Sequence, residues 1–192
     1  MNLFTTALGA ARRAPSTPLV ARFDGAVDGF FGRRLRGRPA WDRVMYAASA
    51  AGEHSLVWLA IAGAEGWRAR APGRTLARAV VALGAESLLV NGAVKSVFRR
   101  PRPAAGKPRP HYLRQPLSSS FPSGHASAAF FAAALLRDSP LGPAYYALAV
   151  VVASSRVHVR IHHGSDVVAG ALLGACMGEA ARRAFPVLPR RP

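Results

Sequence analysis

The chain runs from residue 115 to 136, from 139 to 155 and from 167 to 178 without one charged side chain, although it carries 26 Lys+Arg against 9 Asp+Glu. Twenty-four of those basic residues are arginine; Lys95 and Lys107 are the only lysines. Nucleic-acid-binding chains spread arginines along the faces of soluble helices or interleave them with aromatics. Here they crowd into short clusters between apolar runs, the pattern of membrane spans with basic flanks. The sequence therefore predicts an all-α membrane bundle and excludes a nucleic-acid partner, in spite of a formal net charge of +17.

Five apolar segments follow a mixed N-terminal part. They are Trp41 to Trp67, interrupted by Glu53 and His54; Ala77 to Val97, with Glu86 and Asn91 inside it; Gly124 to Leu136; Leu141 to Ala153; and Asp166 to Ala181. Several are shorter than the ~20 residues that cross a bilayer core. Their abundance of Gly and Ala suits close packing between membrane helices. We expect about five spans, six at most. Residues 1–40 read as an amphipathic N-terminal segment lying at the membrane surface, 41–184 as the membrane-embedded domain and 185–192 as a basic tail. Cys176, the lone cysteine, is expected to be a small buried core residue. Neither a disulfide nor a cysteine-based metal site is available to one cysteine.

The segment "SSSFPSGHASAAFFAAALL" (118–136) puts a histidine at the first turn of an apolar helix. A helix start offers unpaired N–H groups and the positive end of the dipole, which suits an anion. A histidine there can exchange a proton with what binds. If all five segments cross, the loop 99–122 and the polar segment 154–165 emerge on the same side as this helix start.

Three blocks then share one face: "KSVFRRPRP" (95–103), "PSGH" (122–125) and "SRVHVRIHHGSD" (155–166). In order and in spacing they resemble the signature blocks of the type 2 phosphatidic acid phosphatase family, related in fold to vanadium haloperoxidases. The resemblance implies a haloperoxidase-like helical core and a lipid phosphate phosphatase that needs no cofactor and no metal. It assigns Lys95, Arg102 and Arg156 to the phosphate, with Ser123 and the Gly124 N–H as further donors. It makes His162 the nucleophile that forms a phosphohistidine, Asp166 the partner of its other ring nitrogen, and His125 the acid that protonates the leaving alkoxide and later activates water. Planar guanidinium forks match phosphate oxygens, which is why arginine suits two of the three cationic positions.

Gly164 stands where the family often has proline, and Arg160, where a small residue is common, is a candidate for an added phosphate or headgroup contact. Arg33, Arg34, Arg36, Arg182 and Arg183 read as anchors at the membrane edge. His158 and His163 fall off the nucleophile position. Glu53 and Glu86 either pair helices or line the path to the site.

The expected substrates are phosphatidic acid, phosphatidylglycerophosphate or a polyprenyl phosphate or diphosphate. The short chain and its "SAAGEHSLVWL" element resemble actinobacterial members proposed to act on decaprenylphosphoryl-5-phosphoribose. The expected setting is a bacterial plasma membrane, with the side of the site left open by the even spread of basic residues. A vanadate-dependent haloperoxidase and a non-catalytic membrane protein are the competing classes; the apolar spans oppose the first, and the intact set of site residues opposes the second.

Overall fold

The computed structural model describes residues 17–104, 110, 113, 116 and 118–186, all helix, turn or loop with no strand among them. Residues 1–16, Lys107, His111 and most of the basic tail lie outside the described residues.

Helix α1 (Pro18–Arg34) is capped by Thr17, whose hydroxyl accepts from the Val20 N–H at 3.4 Å. Then follow α2 (Pro39–Ala51), a 3₁₀ turn (Glu53–Ser55) and α3 (Leu56–Arg68). Helix α4 is continuous from Pro72 to Val97 and widens to π form between Leu88 and Val94. Helices α5 (Gly124–Leu135), α6 (Gly142–His158) and α7 (Gly164–Ala184) complete the bundle. Three of these helices open on a proline and α6 has one at its second position, where the missing N–H costs nothing.

The expected first span is not one helix. Ser55 adopts a left-handed conformation (φ 57°), and the chain breaks between α2 and α3. Hydropathy averages over such a break because the residues on both sides are apolar. Among the described helices, α4 is the one whose length and composition suffice to cross a membrane. The other three expected helices form, with α6 running on from Ala153 to His158 so that Arg156 is helical.

Helix α5 is the centre of the molecule. It packs on α7, α6 and α4, and Ala126, Ala129, Phe131 and Ala133 are almost wholly enclosed. The outer surface also carries large apolar side chains: Leu19, Trp67, Val81, Leu88, Leu172 and Phe185 are exposed. Buried Glu65, Thr75, Glu86 and Ser127 lie inside. Exposed apolar side chains of this size suit a hydrocarbon solvent.

Cys176 corrects the expectation of a buried thiol: it is exposed. It sits on the side of α7 away from Gly170, Gly174 and Gly178, which face α5. A Cβ at any of the three glycines would overlap the carbonyl oxygen of Ser123, Ser127 or Phe131. The two helices therefore touch backbone to backbone.

Candidate active site

That contact brings the starts of α5 and α7 together, and the Ser123 N–H donates to the Asp166 carbonyl at 3.0 Å. Two residues beyond α6 stands a left-handed residue, Arg160 (φ 54°), which turns the chain so that the N–H groups of Ile161 and His162 both reach the Arg156 carbonyl at 3.1 Å. Arg156 and His162 are thus fixed to each other through main chain.

His162 is buried. Its Nε2 lies 3.3 Å from Arg102 Nη1, and its Nδ1 lies 3.7 Å from Asp166 Oδ2. A guanidinium can only donate, so the first contact requires the lone pair on Nε2 and leaves the ring proton on Nδ1, facing Asp166. Burial holds the His162 ring down at about 4, below the usual imidazole value, and Arg156 and Arg102 push in the same direction against Asp166. The ring is neutral at pH 7, and its unshared pair faces the cations.

Asp166 is itself gripped. It receives Arg100, the Ser120 hydroxyl at 2.5 Å and the His163 N–H at 2.8 Å.

A cavity of about 740 Å³ opens in front of His162. Lys95, Arg102, Arg156, Gly124 and His125 line it together with His162, so six of the eight expected site residues meet on one space. Arg102 is seated by the Ser118 and Ser119 carbonyls at 3.1 and 3.2 Å and by the Ile161 carbonyl at 3.1 Å. Arg156, fully buried, donates to Ser49 on α2. Asp166 lies behind His162, consistent with a partner of the far ring nitrogen. Ser123 departs from its expected place. It is buried behind the cavity wall and caps α5 by accepting from the Ala126 N–H at 3.4 Å. Glu53 and Glu86 both line the cavity.

Other arginines have duties that their position near a helix end did not indicate. Arg36 is no edge anchor: it caps α6 by donating to the Val157 and His158 carbonyls at 2.7 and 2.8 Å and pairs with Asp28 at 2.6 Å. Arg160 reaches Asp28 at 3.5 Å and is absent from the cavity wall. His158 bonds Asp42 at 2.7 Å, in keeping with a structural part.

Sequence reasoning missed three participants. Arg100 bridges Asp166 to Asp24 of α1, and Asp24 in turn accepts from the Ser165 N–H at 2.8 Å. Gly52 gives the His125 ring room, since a Cβ there would stand 3.0 Å from its Cδ2. Asn91, on the π-widened part of α4, packs so tightly on Gly124 that any side chain at 124 would collide with it. Only the Asn91 position carried a signal, as a polar residue in an apolar span.

A neutral histidine aimed past its carboxylate partner into a cluster of fixed cations, at the end of a helical membrane bundle, is the equipment of a membrane phosphatase. The chain belongs to the PAP2 superfamily, which matches residues 75–189. It is 37% identical over 139 residues to a decaprenylphosphoryl-5-phosphoribose phosphatase of Mycolicibacterium smegmatis, covering 71% of this chain and 74% of that one. The enzyme of the same name from Mycobacterium tuberculosis is 30% identical over 158 residues, covering 75% and 80%. The fold matches the crystal structure of a transmembrane PAP2 type phosphatidylglycerolphosphate phosphatase from Bacillus subtilis with a TM-score of 0.69 and 24% identity, covering 99% of this chain and 96% of that one.

Proposed function

We propose that this protein removes phosphate from a membrane-borne phosphate ester through a phosphohistidine on His162. The observation that carries this reading is the meeting of Lys95, Arg102 and Arg156 with His125 and His162 on one cavity. The three cations offset the phosphate charge, which otherwise repels a nucleophile. His162 Nε2 forms a bond to phosphorus as the phosphorus–oxygen bond to the leaving alcohol breaks, and His125 supplies the proton that the departing oxygen takes. Asp166 stabilises the charge that the His162 ring gains. In the second half, His125 takes a proton from water, the water oxygen bonds phosphorus, and the electron pair of the phosphorus–nitrogen bond returns to His162.

The relatives' names support a lipid substrate, and those of the mycobacterial enzymes favour a polyprenyl-linked phosphoribose over phosphatidic acid or phosphatidylglycerophosphate. The corresponding location is a bacterial plasma membrane. His162→Ala is expected to lower phosphate release from a detergent-dispersed lipid phosphate by roughly a thousandfold or more. Rapid quench of the unaltered protein with labelled substrate should trap an acid-labile phosphoenzyme on His162. Label on His158 or His163, or turnover retained in the variant, would overturn the assignment.

A further inference from the structure

A carboxylate inside a phosphate cavity works against the ligand, and Glu86 is such a carboxylate. It is almost wholly buried on α4 and lines the same space as Lys95, Arg102 and Arg156. One of its oxygens accepts from the Ser127 hydroxyl at 2.5 Å; the other is buried and has no hydrogen-bond partner among the described residues. The bond to Ser127 does not account for the residue, because a neutral amide accepts from a hydroxyl equally well and buries no charge.

Its counterpart stands on the same helix. The Lys95 ammonium has three protons to donate, yet it makes no hydrogen bond among the described residues. Lys95 comes nine residues after Glu86. In an unbroken α-helix that is about two and a half turns, which sets two side chains on opposite sides. Between them α4 widens to π form, from Leu88 to Val94. A wider turn advances less per residue, and the lag brings Lys95 round to the side of Glu86. Both line one cavity, close enough for their charges to interact; Arg102 and Arg156 repel the ammonium, and Asp166 attracts it.

We infer that Glu86 is the counter-charge of Lys95 in the empty site and that phosphate displaces it. The Lys95 ammonium turns to Glu86 when the cavity holds no anion, and to the phosphate when it does. The inference rests on the phosphatase reading and makes Glu86 a positioning residue that acts through Lys95. Its effect falls at the end of turnover. Inorganic phosphate has to leave three cations, and a carboxylate that reclaims one of them loosens their hold on the product.

Glu86→Gln keeps an acceptor for Ser127 and removes only the charge. In detergent, inorganic phosphate should inhibit lipid phosphate hydrolysis by this variant at a severalfold lower concentration than it inhibits the unaltered protein. Its kcat should fall with slower product release, and Glu86→Asp should stay near the unaltered protein in both respects. Lys95 and Lys107 are the only lysines, so reductive methylation with isotope-labelled formaldehyde gives a Lys95 NMR signal that is identified by its loss in Lys95→Met. In the unaltered protein this signal should move when phosphate is added. In Glu86→Gln it should start from a different position, and the difference should close at saturating phosphate. Unchanged or weaker inhibition by phosphate in Glu86→Gln, or a Lys95 signal that neither phosphate nor the loss of the Glu86 charge moves, overturns the inference, while hydrolysis by the unaltered protein keeps the phosphatase reading. No hydrolysis by the unaltered protein removes both.

Discussion

At the scale of single residues, the pH response of His162 is the sharpest consequence of its burial. Its folded-state value of about 4 lies below the 6.5 of an unhindered imidazole. Between those values an unfolded chain takes up a proton that the folded chain refuses, so stability falls as pH falls through that window. The slope contributed by one such group is at most about 1.4 kcal/mol per pH unit. We expect the melting temperature in detergent to drop between pH 6.5 and 4.5, and His162→Gln to flatten part of that drop; an equal drop in both would mean the ring is not shielded. Arg102 makes a second case. Its planar fork touches two loop carbonyls and the His162 ring at once, which a lysine cannot copy. Arg102→Lys should cost about a hundredfold in kcat/KM, measured on any accepted phosphate lipid.

At the scale of elements, α1 belongs to the frame of the candidate site. Asp24 holds Arg100 against Asp166 and also fastens Ser165 at the start of α7. Asp24→Asn should lower kcat about tenfold with little change in KM, because the substituted residue touches the support of the proposed nucleophile and not the proposed phosphate-binding groups. A matching rise in KM would instead point to collapse of the cavity. None of this was legible beforehand. Lys95, Arg102, His125, Arg156, His162 and Asp166 lie within blocks whose internal spacing survives in any reading of the chain. Asp24 and Arg100 are 76 residues apart, and nothing local marks them as partners. The break at Gly52 to Ser55 was hidden for a different reason: apolar residues on both sides gave a continuous hydropathy signal over what are two helices. The contact of α5 with α7 supplies a further test. Gly174→Ala must push the helices apart, since its new carbon would overlap the Ser127 carbonyl. Overpacking of that kind costs about 1–3 kcal/mol, and a lowered melting temperature with reduced kcat would register it.

At the scale of the whole molecule, large apolar side chains stand on the outer surface as well as in the core, and this arrangement should be visible from outside. Cys176 is exposed on the apolar exterior of α7. In membranes it should react with a lipophilic maleimide and resist a charged, water-soluble thiol reagent; rapid labelling by the charged reagent would place that face of α7 in water. The same helix has a consequence for descent. A stripe of glycines four residues apart, each pressed on a carbonyl oxygen, leaves mutation no smaller side chain to choose and no larger one that fits. The exposed side of α7, which carries Val168, Leu172 and Cys176, leaves room for many residues. As lineages of this chain diverge, Gly170, Gly174 and Gly178 should therefore stay fixed while their outward neighbours change, so that one helix records both the slowest and the fastest clocks in the protein.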